Sequence, residues 1–124
     1  MTPLVFLALA LAGGLGAGSR FVLDGLIRSR VTSSYPLATL VINITGSFLL
    51  GLATGLTLSA TLAPEVQLIV GAGFLGGYTT FSTASVESVR LVREGRYGVA
   101  LVSSVGMLVG AVIASAAGLL LGGL

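Results

Sequence analysis

The chain has 124 residues, 55% of them hydrophobic and only 8% charged, with a formal net charge of +2; soluble domains carry about 25% charged residues. So little polar surface cannot wet a globule, and the bilayer is the solvent that suits this composition. Cysteine and histidine are absent, which excludes disulfides, thiolate metal sites and the commonest general base, and the four carboxylates Asp24, Glu65, Glu87 and Glu94 leave an enzyme little to work with.

A membrane-spanning helix needs about 20 mostly apolar residues. Hydropathy predicts four such helices in a single all-α domain, 1–124. The first span runs from Leu4 to Leu26. Ala8-Leu9-Ala10 imitates a signal-peptide cleavage site, but Met1-Thr2-Pro3 supplies no basic side chain and the apolar run continues beyond it. The span is therefore expected to be retained. Gly14, Gly16 and Gly18 do not make a dinucleotide loop, since no strand precedes them and the third glycine is misplaced. Arg20 falls near the end of this span, where it reads either as an interfacial anchor or as a functional cation. Ile27 to Tyr35, with Arg28, Arg30, Thr32, Ser33 and Ser34, reads as a loop.

Pro36 opens the second span, which runs to about Ala60, because proline suits a first helical turn. Thr61 to Pro64 form a turn. Glu65 begins the third span, 65–92, where its carboxylate complements the helix dipole. That span is apolar to Leu75 and is expected to break near residues 76–80. Gly76 and Gly77 each weaken a helix by about 1 kcal/mol relative to alanine, and Thr79, Thr80, Ser82 and Thr83 follow. A broken helix releases carbonyls for cations and N–H groups for anions. It survives at membrane depth only inside protein or along a wet cavity. The plainer alternative is a kink with the hydroxyls bonded to their own helix. Arg93 to Arg96 form the next loop, and the fourth span runs from Tyr97 to Leu120.

Each span carries two glycines four apart: Gly14/Gly18, Gly51/Gly55, Gly73/Gly77 and Gly106/Gly110. Such pairs let another backbone approach closely. Span two extends the pattern to Asn43, Ser47, Gly51 and Gly55, and span four to Ser103, Gly106, Gly110, Ala114 and Ala117. Four short helices can hardly enclose a conduit alone, so an oligomer is expected. Asn43 is costly in hydrocarbon and must face protein or water. It reads equally as a helix–helix hydrogen bond and as part of a polar path.

Three stretches, 13–21 around Gly13-Gly14-Leu15-Gly16-Ala17-Gly18-Ser19-Arg20-Phe21, 36–46 around Asn43, and 73–83 with Gly76-Gly77-Tyr78-Thr79-Thr80-Phe81-Ser82-Thr83, resemble the signature stretches of the Fluc (CrcB) fluoride channel family. The resemblance covers essentially the whole chain and is most specific in the third stretch. It implies an antiparallel, dual-topology dimer in the cell inner (plasma) membrane, passing fluoride out of the cytoplasm along two pores at the subunit interface. It implies roles for Asn43 as the pore asparagine, for Phe81 as the first phenylalanine of an aromatic box, and for Ser82 and Thr83 beside it. Arg20 matches a vestibule arginine and Glu87 an acidic position after the break, while Thr39 and Ser104 extend the polar lining. Gly76 and Thr79 match positions whose backbone carbonyls hold a structural sodium ion, Na+, at the dimer centre. The partners so implied are fluoride, the bilayer and a second subunit, without nucleic acid.

Two features depart from that pattern. The family usually writes Phe-Ser-Thr-Phe, and here the second aromatic is Ala84. Arg28 and Arg30 in loop one and Arg90, Arg93 and Arg96 at loop three share one side, which the positive-inside rule places in the cytoplasm. A chain so biased in orientation is expected to pair with an oppositely oriented sister subunit that supplies the missing aromatic. Two other readings compete. One is a small proton-coupled multidrug exporter, for which Asp24 is the only carboxylate in span one; the other is a non-conducting partner subunit of a heterodimeric channel.

Overall fold

The computed structural model describes residues 1–32 and 35–124, all helical apart from short turns. Helix α1 is Pro3–Arg30, α2 is Leu37–Leu58 and α3 is Pro64–Gln67, which continues into a π-helical stretch, Leu68–Leu75, and then α4, Gly76–Tyr78. Helix α5 is Ser82–Arg93 and α6 is Tyr97–Gly123. By length and composition α1, α2 and α6 can each cross a membrane. The segments 64–78 and 82–93 are shorter and are separated by a non-helical turn.

Helix α1 ends four residues later than hydropathy suggested. Its 28 residues extend about 42 Å at 1.5 Å per residue, more than the bilayer's apolar thickness of about 30 Å. Its last turns continue through polar sequence because Arg28 pairs with Asp24 one turn back. Arg28 and Arg30 therefore belong to the helix and favour its dipole, rather than to a loop. Of the loop expected over 27–35, Ser33 and Ser34 lie outside the described residues. Arg20, expected near a helix end, instead sits ten residues inside α1.

Backbone approach through glycine holds two helix pairs together. In the α2–α6 pair, a Cβ at Gly51 would strike the Ser115 carbonyl and one at Gly118 the Phe48 carbonyl. In the pair formed by α1 and the π-helical stretch with α4, Gly16 faces the Phe74 carbonyl and Gly77 the Gly13 carbonyl. Two of the four expected pairs, Gly51/Gly55 and Gly73/Gly77, lie on contact faces. Gly14 and Gly18 meet nothing within 4 Å, and α1 uses Gly13 and Gly16 instead. Helix α6 uses Gly118 and Gly122, while Gly106 points into open space and Gly110 meets only Ile44.

The buried apolar core is small: a cluster of Ile42, Leu75 and Tyr78, flanked by Leu23 and Phe74, with Ala38, Ala53, Leu91 and Ala100 buried as well. Most large apolar side chains face outward, among them Phe6, Leu15, Phe21, Leu108, Ile113 and Leu120. Polar groups inside are paired: among the described residues no buried side-chain nitrogen or oxygen lacks a hydrogen-bond partner.

Candidate functional site

The interruption of the third helix lies at 79–81, later than the glycines. Gly76 and Gly77 are themselves helical. Gly77 is small because α1 crosses it, and the chain leaves the helix only at Thr79, whose backbone is extended (φ −80°, ψ 160°). Here Asn43 of α2 takes over the helix's role. Its Oδ1 accepts from the Thr80 N–H at 2.8 Å, and its Nδ2 donates to the Thr80 carbonyl at 2.7 Å. The Thr80 hydroxyl then accepts from the Thr83 N–H at 3.1 Å, capping the start of α5 as N-cap hydroxyls do. Of the two readings of Asn43, the interhelical hydrogen bond is thus present. The second N–H of its Nδ2 points at the Met107 Sδ, 3.2 Å away.

Two cavities flank this turn. The larger, about 890 Å³, lies among α2, the π-helical stretch, α4, α5 and α6, and brings together Asn43, Gly76, Thr79, Phe81 and Ser104. Phe81 is 87% exposed, so its ring stands out from the chain. Ala84 lines the same cavity. Ser104 shares a 2.8 Å hydrogen bond with Ser88. The smaller cavity, about 220 Å³, collects Arg20, Asp24, Thr39 and Thr83. Arg20 reaches it from α1 and donates through Nε to the Gly77 carbonyl at 3.2 Å. Thr80 lines both cavities and stands between them.

Two of the expected site residues line neither cavity. Ser82 is exposed on the first turn of α5, with its hydroxyl 3.4 Å from that of Thr80. Glu87 is buried behind the smaller cavity, where Oε1 accepts from the Thr39 hydroxyl and Oε2 from Arg28 Nη2 at 3.2 Å. Sequence reasoning missed Thr80, Met107 and Arg28. Thr80 stood inside the motif, and its position directly after the helix break was the available signal. Met107 looked like any apolar residue of span four, and nothing local links Arg28 to Glu87.

For a hard cation the donor set consists of backbone oxygens. The Thr80 N–H turns to Asn43 rather than to the carbonyl four residues back, which releases the Gly76 carbonyl from the helical ladder. Gly76 and Thr79 both border the larger cavity. Among the described residues no group of three or more His, Cys, Asp or Glu side chains could hold a metal.

Residues 7–119 match the model of the family described as CrcB-like protein, Camphor Resistance (CrcB). The chain is 59% identical over 124 residues to fluoride-specific ion channel FluC 1 of Leifsonia xyli subsp. xyli, covering all of this chain and 90% of that protein. It is 45% identical over 120 residues to FluC 2 of Cutibacterium acnes, covering 96% of this chain and 98% of that one. It is 40% identical over 103 residues to FluC of Thermus thermophilus, covering 83% and 82%. With a family match across nearly the whole helical array and relatives aligned end to end, the chain belongs to the CrcB-like protein family.

Proposed function

We propose that this chain is a subunit of a fluoride-specific ion channel that lets fluoride leave the cytoplasm passively and so lowers its toxicity. The observation that carries the reading is the helix turn at 79–81, held by Asn43, with Phe81 and Ser104 on the same cavity. The names of the relatives supply the ion. In this reading residues 64–93 form the third of four spans, and the turn lies at membrane depth. A ring edge is weakly positive, so Phe81 attracts a small anion without holding it as an arginine would, and conduction needs an ion able to leave. Asn43 contributes one N–H. The thioether it now meets is a weak acceptor, which an anion readily displaces. Ser82, Thr83, Thr39 and Ser104 extend the polar path, Arg20 attracts anions into the smaller cavity, and Glu87 acts from behind it.

The proposed assembly is an antiparallel dimer in the inner membrane, multi-pass, with the arginine-bearing ends of α1 and α5 in the cytoplasm. The exposed Phe81 ring and the breadth of the larger cavity support a second subunit closing over them. Ala84 favours a sister chain that brings the missing aromatic, and a silent role for this chain within such a pair is the surviving second reading. Gly76 and Thr79 of each subunit would hold a structural sodium ion with backbone carbonyls. No catalysis is proposed. The proton-coupled exporter finds little support, because both oxygens of Asp24 accept from Arg28 Nε at 2.9 and 3.0 Å.

The test is fluoride-electrode efflux from liposomes holding the purified chain, alone and with a neighbouring paralogue. Efflux of fluoride without comparable chloride efflux is expected. No efflux in either preparation, or exchange of protons for lipophilic cations, overturns the reading.

A further inference from the structure

Helices α1, α2 and α5 meet around one carboxylate. The Glu87 side chain is 9% exposed, whereas Arg28, which bridges it to Asp24, is 47% exposed. Thr39 closes the other side with its hydroxyl donated to Oε1. A hydroxyl carries one proton. With that proton given to Glu87, Thr39 turns only lone pairs toward the smaller cavity that it lines. The charges near this cavity are two of each sign: Arg20 and Arg28 against Asp24 and Glu87. Taking Arg28 away leaves the charge of the buried Glu87 uncompensated. A carboxylate so stranded, directly behind Thr39, repels any anion in the cavity, since screening there is weak.

We infer that Arg28 is a positioning residue for anion passage: it pins Glu87 against Thr39 and cancels its charge beside the smaller cavity. Asp24, one turn back on the same helix, holds the Arg28 guanidinium in place for that contact. The inference rests on the fluoride-channel reading and deepens it, adding a residue outside the signature stretches whose influence passes chiefly through Glu87, with Asp24 the second carboxylate it neutralises.

The full chain and its Arg28→Gln, Arg28→Lys, Glu87→Gln and Arg28→Gln/Glu87→Gln variants are reconstituted in liposomes, with the paralogue where the parent needs it, and fluoride efflux is followed. Arg28→Gln is expected to slow efflux about tenfold or more, and Arg28→Lys to retain most of it. In the Glu87→Gln background, the Arg28 substitution is expected to slow efflux several-fold less than in the parent, the residual loss coming from the unpaired Asp24. Equal losses in both backgrounds, or parental efflux in Arg28→Gln, overturn the inference. Absence of efflux from the parent strikes the channel reading instead. Infrared spectra of protein carrying ¹³C-labelled glutamate then decide the inference separately. The carboxylate bands lost in Glu87→Gln are expected to shift in Arg28→Gln and to return in Arg28→Lys, and bands unmoved in Arg28→Gln overturn it.

Discussion

Asn43 holds Thr80 on both sides of its Cα, accepting its N–H at 2.8 Å and donating to its carbonyl at 2.7 Å. A side-chain amide from α2 thereby replaces the two backbone partners lost where the third helix stops. Asn43→Asp keeps the acceptor and removes the donor, leaving the Thr80 carbonyl facing a carboxylate. An unmade hydrogen bond at such a site costs about 1–3 kcal/mol. Lower thermal stability in detergent and at least tenfold slower fluoride efflux are expected, both measured on the same preparation.

Phe81 gives the opposite separation of effects. At 87% exposed in the single chain it contributes little to the chain's own packing. Phe81→Ile is expected to leave the monomer's melting temperature within about 2 °C, as surface changes usually do, while sharply reducing efflux. Ala84→Phe, on the same cavity wall, is expected to raise efflux from the chain reconstituted without a paralogue. Unchanged efflux in both variants would remove the aromatic path from consideration.

The two kinds of glycine on α1 and α4 separate cleanly. A methyl at Gly77 would fall on the Gly13 carbonyl, so Gly77→Ala forces α1 away and is expected to cost about 1–3 kcal/mol. Gly14 meets nothing within 4 Å, and Gly14→Ala is expected to stabilise the helix by up to about 1 kcal/mol. Unfolding midpoints in a denaturing detergent would order the two variants on opposite sides of the parent.

Ala60, just after α2, adopts φ +62°, the left-handed region that L-residues enter at a cost of about 1–2 kcal/mol. The equivalent turn after α5 uses Gly95 at φ +75°. Ala60→Gly is expected to raise stability by up to about 1 kcal/mol, less than the full relief because glycine also loosens the unfolded chain. A higher melting temperature with unaltered efflux is the outcome sought.

Sodium dependence tests the carbonyl pair at Gly76 and Thr79. Replacing sodium by a large organic cation is expected to shift the dimer toward monomer in analytical ultracentrifugation, and sodium to reverse the shift. A dimer fraction indifferent to the cation would remove the ion from the assembly.

The long helices were legible because their apolar runs leave no other solvent, and the turn after α5 was legible from Glu94 and Gly95. The end of α1 was missed because hydropathy fades at Asp24 while the Asp24–Arg28 pair carries the helix on. The helix break falls at the late end of the expected range, 76–80, and one residue beyond it, because Gly77 is used for close approach and the break needs Asn43. Glycines four apart share a face, but spacing alone does not say which face meets a neighbour, so Gly14/Gly18 drew attention that belonged to Gly13 and Gly16. The signature stretches brought Asn43, Phe81, Gly76 and Thr79 to one cavity as a set. Ser82 and Glu87 lie off the cavity walls, a placement fixed by how α5 turns rather than by any spacing in the chain.

Thr80 borders the larger cavity on one side and the smaller on the other. Water filling both would short-circuit most of the bilayer thickness and concentrate the transmembrane voltage across this one residue. Moving a unit charge through the full potential is worth about 2.3 kcal/mol per 100 mV. Nearly all of that work would then be done in crossing Thr80, so the residue that Asn43 clamps would set the field an ion feels as well as the path it takes.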